Sequence, residues 1–229
     1  NVDNDNDGLI DLNDPDCVAF VPPPTSIIVD NFNNYTEGSL LGQGGWSNHT
    51  NGDKYIIQST TTFEGSRAAF INSPTDNVIY KIGNLLSDGE QSIYIKIKDR
   101  SLWEDTNSMQ VRLGKGSTFA SSVFASVLFR KNGDVTYQGG PGNETKFATY
   151  NDDQWTLLKI EWRSSNNQAR YQIDNGNWSG WYTFYGSGSF VGFDSVATSG
   201  DILSISSQLE YGKHKEVDQT QQVSSEINK

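Results

Sequence analysis

From Trp155 to Tyr182 the chain alternates between apolar and polar positions. Thr156, Leu158, Ile160 and Trp162 fall on one face, and Leu157, Lys159, Glu161 and Arg163 on the other. A period of two marks a half-buried strand, because successive side chains leave a pleated backbone on opposite sides. Past the polar turn Ser164-Ser165-Asn166-Asn167, Ala169, Tyr171 and Ile173 oppose Arg170, Gln172 and Asp174. Asn175-Gly176 then offers the positive φ of a tight hairpin, and Trp178, Trp181, Tyr182 and Phe184 follow. The stretch predicts a three-strand antiparallel meander. Its apolar face needs a second layer.

The remaining periodic segments supply that layer. Strands are predicted from Ile27 to Asp30, from Lys54 to Ser59 and from Arg67 to Asn72, the last two flanking the Phe63-Glu64-Gly65 turn. Others run from Asn77 to Ile82 and from Gln91 to Lys98, where Ile93, Ile95 and Ile97 face inward. Ser108 to Leu113, Ser122 to Arg130 and Asp134 to Gln138 follow, with Asn132-Gly133 as a hairpin turn between the last two. Phe190 to Ala197 and Asp201 to Tyr211 close the series, and Gly42 to Gly45 is too glycine-rich for any element. Helix formers are few. Roughly a dozen short strands at this spacing predict an all-β, two-sheet sandwich.

Charge narrows the partners. Seventeen Lys and Arg stand against 28 Asp and Glu, a formal charge of -11. That argues against nucleic acid or an anionic membrane as partner. No apolar run approaches a membrane span, so no membrane insertion is expected. Cys17 is the single cysteine, which excludes an internal disulfide. The sequence opens without Met or a signal peptide, as a processed or excised chain would. Sequons at Asn34, Asn48, Asn143 and Asn177 permit an extracellular or cell-surface location.

The N-terminus carries the sharpest motif. In NVDNDNDGLIDLNDPDC, residues Asp3, Asp5, Asp7, Gly8, Asp11 and Asp14 fall at positions 1, 3, 5, 6, 9 and 12 of a calcium loop. Alternate carboxylates converge on one cation, glycine allows the sharp turn, and the Leu9 carbonyl adds a backbone oxygen. Ile10 packs the loop down. Asp14 replaces the bidentate Glu of an EF-hand, and no helices flank the loop. The stretch resembles a thrombospondin type 3 repeat. That resemblance implies Ca²⁺ held by Asp3, Asp5, Asp7, Leu9, Asp11 and Asp14. The expected organisation is a calcium repeat over residues 1–20, a proline linker over 21–25, a globular domain over 26–211 and a polar tail over 212–229.

The globular part opens with Asp30, Phe32, Tyr35, Gly38, Leu40 and the run Gly42 to Ser47, and later shows W-x-x-L-x-I-E-W and Y-x-I-D-x-G-x-W segments. These motifs resemble the concanavalin A-like (laminin G-like) jelly-roll domains over residues 26–211. The resemblance implies a two-sheet antiparallel jelly-roll sandwich. It says little about function, since that fold hosts lectins, hydrolases, lyases and spacers.

Catalysis is poorly provided for. His49 and His214 lack a partner at telling spacing, and no E-x-D-x-x-E strand supplies a glucanase acid pair. Gln110 and Arg112 share one strand face, as in jelly-roll lyases, but the histidine of that site is missing. The chain is therefore read as no enzyme. Trp46, Trp103, Trp178, Trp181, Tyr182 and Tyr185 lie in or near loops, where rings can stack on sugars. Within them Trp178, Trp181 and Tyr182 form the candidate ligand site, because three adjacent rings cannot all face inward at period two. Asp30 and Asp201 are candidates for a second cation site. Two readings follow. One is a calcium-binding structural or adhesion module with neighbouring subunits as partners; the other is a carbohydrate-binding, lectin-like domain appended to a polysaccharide-degrading enzyme.

Overall fold

The computed structural model describes residues 26–27, 30–50, 54–63, 65–71, 77–100, 108–116, 123–140, 143–186, 192–200 and 205–208. The chain runs through β1 (Gly38–Ser39), β2 (Trp46–Thr50), β3 (Tyr55–Gln58), β4 (Ala68–Ile71), β5 (Asn77–Leu86), β6 (Asp88–Ile97), β7 (Ser108–Gly114) and β8 (Ala125–Arg130). It continues with β9 (Asp134–Gly140), β10 (Asn143–Thr149), β11 (Trp155–Arg163), β12 (Gln168–Ile173), β13 (Tyr182–Thr183), β14 (Phe193–Gly200) and β15 (Ile205–Gln208). Among the described residues these strands form two antiparallel sheets. The eight-stranded sheet has the order β1-β3-β4-β15-β6-β11-β12-β13, and the seven-stranded sheet β10-β9-β8-β7-β14-β5-β2. This is the two-sheet antiparallel sandwich that the alternation and the jelly-roll resemblance imply.

The alternation of β11 is realised position by position. Thr156, Leu158, Ile160 and Trp162 are buried, while their neighbours are half-exposed. Leu158 pairs with both Ile93 of β6 and Ile173 of β12, and Ile160 with Tyr171, so the apolar side of the sheet is continuous. From the other sheet Met109, Val111, Leu113, Val127, Phe129 and Val135 complete the core. Each such side chain contributes about 1.5–3 kcal/mol when removed from water. Trp162 sits at the centre, and its indole N–H donates to the Leu86 carbonyl at 3.1 Å.

Different devices close the two open sides of the sandwich. On one side, residues 30–46 link β1, at the edge of the eight-stranded sheet, to β2, at the edge of the seven-stranded sheet. Asp30 holds this link. Its carboxylate accepts from the Tyr35 hydroxyl at 2.6 Å, the Trp46 indole at 2.9 Å, Lys81 Nζ at 2.9 Å and the Phe32 N–H at 3.0 Å. Burial, and after it the bond to Asp30, push the Tyr35 hydroxyl well above the ordinary tyrosine range. Phe32 is buried with φ 59°, a left-handed conformation that costs a bulky residue roughly 1–3 kcal/mol and persists because its amide is tied down. Gly44, at φ 54°, leaves room for the Tyr35 ring, which a Cβ would strike. On the other side, Tyr137 of β9 stacks on Tyr182 of β13 at 4.2 Å and on Tyr171 of β12 at 5.2 Å.

Several expectations change. Asp30, a candidate for a second cation site, acts as a structural acceptor: Tyr35, Trp46 and Lys81 donate to its Oδ2 and the Phe32 N–H to its Oδ1. Asp201 lies outside the described residues, as do the N-terminal loop, the proline linker, Cys17, Trp103, His214 and the tail. Of the strand expected from Ile27 to Asp30, the described residues show a single bridge at Asp30. β10 and β2 lie outside the strands that the alternation predicts, since NETKFAT and WSNHT carry little apolar periodicity. The positive φ of the second hairpin falls on Asp174, at 52°, rather than on Asn175-Gly176. The Asp174 carboxylate there accepts the Leu157 N–H at 2.8 Å.

Asp30→Ala should lose about 3–5 kcal/mol in urea unfolding, because it strands the half-buried Lys81 ammonium without its partner. A loss under about 1 kcal/mol would mean that the link is held by something else.

Candidate functional site

The side of β7 to β10 turned away from the core carries a polar layer, in which Arg112, Ser126 and Thr136 are themselves buried. Since Val111, Val127 and Val135 face the core, Gln110 and Arg112, Ser126 and Arg130, Thr136 and Gln138 alternate outward. Register sets them side by side: Arg112 pairs with Ser126, Gln110 with Leu128, Leu128 with Thr136 and Thr136 with Lys146. Gln110 Nε2 donates to Ser126 Oγ at 3.1 Å and to Gln138 Oε1 at 3.5 Å. The buried Arg112 guanidinium lies over the Phe124 ring at 3.8 Å, and desolvation pulls its pKa down to about 10. Phe124 in turn packs on Tyr185 at 4.5 Å.

Toward the β8–β9 hairpin this surface opens into a cavity of about 630 Å³, lined by Arg130, Lys131, Asn132, Asp134, Thr136 and Glu144. The hairpin is the one expected at Asn132-Gly133. Gly133 adopts φ 87°, and a Cβ there would strike the Arg100 guanidinium. Arg130 grips Glu144 with two donors, its Nε at 2.8 Å from Oε2 and its Nη2 on Oε1. Thr136 Oγ1 donates to the same Glu144 Oε2 at 2.9 Å. Asp134 accepts from Lys146 Nζ at 2.5 Å and from Asn132 Nδ2 at 3.0 Å. The Lys146 bond holds the Asp134 carboxyl below the usual aspartate value, and desolvation lowers the Arg130 pKa.

The lining is dense in hydrogen-bonding groups of both signs. A glycosidase acid needs its carboxyl pKa raised, and Asp134 is shifted the other way. Asp134 and Glu144 are instead acceptors held beside fixed donors. Sequence reasoning noted Gln110 and Arg112 but not Arg130, Asp134, Thr136, Gln138 or Glu144. The alternation of β8 and β9 contained the signal for four of these, whereas Glu144 needed the unforeseen pairing of β10.

The aromatic trio expected to form one site is divided. Tyr182 pairs with Ala169 and turns inward, onto Tyr137. Trp178 and Trp181 lie half-exposed over the outer face of the eight-stranded sheet. Arg170 Cζ is 4.5 Å from the Trp178 ring and 4.8 Å from Trp181, while Arg163 Cζ is 3.9 Å from Trp181. Arg170 also bonds Glu161 at 2.5 Å. The division has a geometric cause. The Ser179 N–H donates to the Tyr171 carbonyl at 2.8 Å, and Tyr182 pairs with Ala169, so three steps on one strand face two on the other. The extra residue puts Trp178 and Trp181, three apart, on one side. Trp46, expected near a loop surface, is instead buried at 3% exposure.

No protein-family model matches the chain, and no curated protein matches it. Among solved structures it is similar to a sialidase, with TM-score 0.58 and 8% identity over 82% of this chain and 18% of that one. A carbohydrate esterase from Shiga toxin-encoding bacteriophage phi24B gives TM-score 0.52 and 14% identity, over 82% of this chain and 99% of that one. A carbohydrate-binding module from Bacillus subtilis gives 0.46 and 14%, over 72% and 94% of the two chains. The chain thus spans 18% of the sialidase's length. At these identities the likeness defines the fold class, an all-β jelly-roll sandwich, and nothing finer. Among the described residues no helix is long and apolar enough to cross a membrane, and no three His, Cys, Asp or Glu side chains are grouped as a metal would require.

Tyr182→Ala should cost roughly 3 kcal/mol, as a large ring lost from packing does. Trp178→Ala should cost under about 1 kcal/mol, the scale of a surface cation–π contact. Urea unfolding of the two variants checks the order, and a reversed order would place Trp178 in the core.

Proposed function

We propose that this chain is a non-catalytic carbohydrate-binding module that reads glycan hydroxyls with the outer face of its seven-stranded sheet. The observation that carries this is the cavity at the β8–β9 hairpin, where two adjacent hydrogen-bonded sets, Arg130–Glu144–Thr136 and Asn132–Asp134–Lys146, hold fixed donors and acceptors. The names of the sialidase and the carbohydrate esterase belong to those proteins; a shared fold is compatible with a glycan ligand here. Of the two readings drawn from the sequence, this favours the lectin-like domain over the adhesion module. It is compatible with attachment to a polysaccharide-degrading enzyme and with an extracellular setting.

Affinity electrophoresis through gels containing xylan, barley β-glucan, alginate or galactan tests it. At least one polymer should retard the chain. Glu144→Gln should weaken that binding about 10- to 100-fold, the worth of a charge-assisted hydrogen bond, with little change in melting temperature. A wild-type chain retarded by none of the four sinks the reading and leaves the adhesion module standing.

The calcium repeat is a second element of the proposal. Asp3, Asp5, Asp7, the Leu9 carbonyl, Asp11 and Asp14 would hold one Ca²⁺ in loop register. Calorimetric titration of the whole chain should lose one calcium equivalent in the variant carrying Asp5→Ala and Asp7→Ala. An unchanged stoichiometry would show the site to be elsewhere.

A further inference from the structure

The eight-stranded sheet carries an aromatic cluster that its fold does not require. Ile93, Ile95 and Ile97 of β6 enter the core, so Tyr94 and Lys96 face outward. Tyr94 pairs with Leu157, and Lys96 with Trp155, on the same outer side. Phe63, from the β3–β4 connection, stacks flat on Tyr94 at 3.7 Å with 17° between the rings, and meets Trp155 edge-on at 5.6 Å. Phe63 is nevertheless 39% exposed.

The loop presenting Phe63 is braced. Gln58 Nε2 donates to the Thr61 carbonyl at 2.6 Å. Its Oε1 accepts the Thr60 N–H at 2.6 Å, the Thr60 hydroxyl at 2.5 Å and the Thr61 N–H at 2.9 Å. One amide therefore fixes residues 58–61 and delivers Phe63 over Tyr94, so little ordering remains to be done when a ligand arrives. Around the rings lies a polar fringe. Lys96 Nζ pairs with Asp153 Oδ1 at 2.8 Å, and the Asp153 side chain is 69% exposed. Asp174 stands exposed next to Leu157, whose amide it accepts.

Size decides what can occupy this platform. An aromatic side chain presents about 150–250 Å². At 39% exposure, Phe63 offers on the order of 80 Å², about a tenth of the roughly 800 Å² per partner of a standard protein interface. A second copy of the chain or another protein would find too little area. A single pyranose ring does not: its C–H face needs one flat ring, and its hydroxyl rim needs charged and polar groups at the edge. We propose that Phe63, Tyr94 and Trp155 form a second carbohydrate site, a stacking platform for one sugar unit of a polysaccharide. The proposal rests on the glycan-binding reading of the chain.

Its place in the fold gives it a function of its own. The β8–β9 cavity opens on the outer face of one sheet and the platform on the outer face of the other, with the core between them. One sugar chain cannot lie on both. Two sites facing apart bind two chains, and the module cross-links polysaccharide instead of gripping a single strand twice.

Cross-linking separates the two sites experimentally. The whole chain is mixed with whichever soluble polymer among xylan, barley β-glucan, alginate and galactan retards it, and light scattering and gel retardation are read together. The wild type should raise scattering as its concentration increases. Phe63→Ala should abolish that rise while remaining retarded, and Phe63→Trp should restore it; thermal melting of each variant checks that the fold is intact. Glu144→Gln should also lose cross-linking but keep weak retardation through the platform, which Phe63→Ala in the same chain removes. If Phe63→Ala scatters as the wild type does, the platform is overturned and the cavity reading stands. If Phe63→Ala changes the self-association of the chain without polymer, the occupant is a second copy and the proposal is equally overturned. If no polymer retards the wild type, both readings fall together.

Discussion

The Asp30 carboxylate is the constraint on which this sandwich turns. A buried charge is tolerated only when it is paired and hydrogen-bonded, and here one amide, one phenol, one indole and one ammonium all donate to it. These donors come from the segment between the sheets and from β2 and β5, so satisfying one residue fixes the path of the chain where it passes from one sheet edge to the other. The left-handed Phe32 and the glycine facing Tyr35 are local costs that the same network absorbs. The opposite side is closed by rings instead of a carboxylate. There, stacked tyrosines seal the gap by area and ring geometry, the non-directional counterpart of the directional lock.

Legibility in the sequence followed the range of the forces involved. β11 and β12 could be read residue by residue, because one buried face and one wet face impose the period locally. β10 could not, since it is an edge strand whose outward residues resemble a loop and whose existence depends on pairing with β9. The cavity inherits that opacity. Arg130 and Glu144 are 14 residues apart, and only register makes them a pair. Trp178, Trp181 and Tyr182 failed as a unit for a related reason: one extra residue against β12 inverts the parity, which no count along the chain reveals. The structural role of Asp30 is equally hidden, because its donors Trp46 and Lys81 lie 16 and 51 residues further along the chain.

The two outer faces treat their charges differently. On the seven-stranded sheet, Arg130, Lys146, Asp134 and Glu144 line or border a cavity and are held in ion pairs there. On the eight-stranded sheet, Arg163 and Arg170 lie over tryptophans, so their charge is spent within the protein and the indoles are occupied. Cation–π layering of this kind rigidifies a surface without making it receptive. Exposed aromatic rings are therefore poor guides to binding until the groups above them are known.

The edge of the seven-stranded sheet has a consequence for life at high density. Among the described residues β10 is an outermost strand with mostly exposed side chains, and an edge row of amides and carbonyls invites strands of neighbouring molecules to add on. Its pairing with β9 slips twice, between Asn143 and Glu144 and again between Lys146 and Ala148. Each slip kinks the row and spoils the straight template that an incoming strand would need, and Lys146 places an ammonium on the same edge. Copies of this domain can therefore be crowded together without fusing their sheets along this edge.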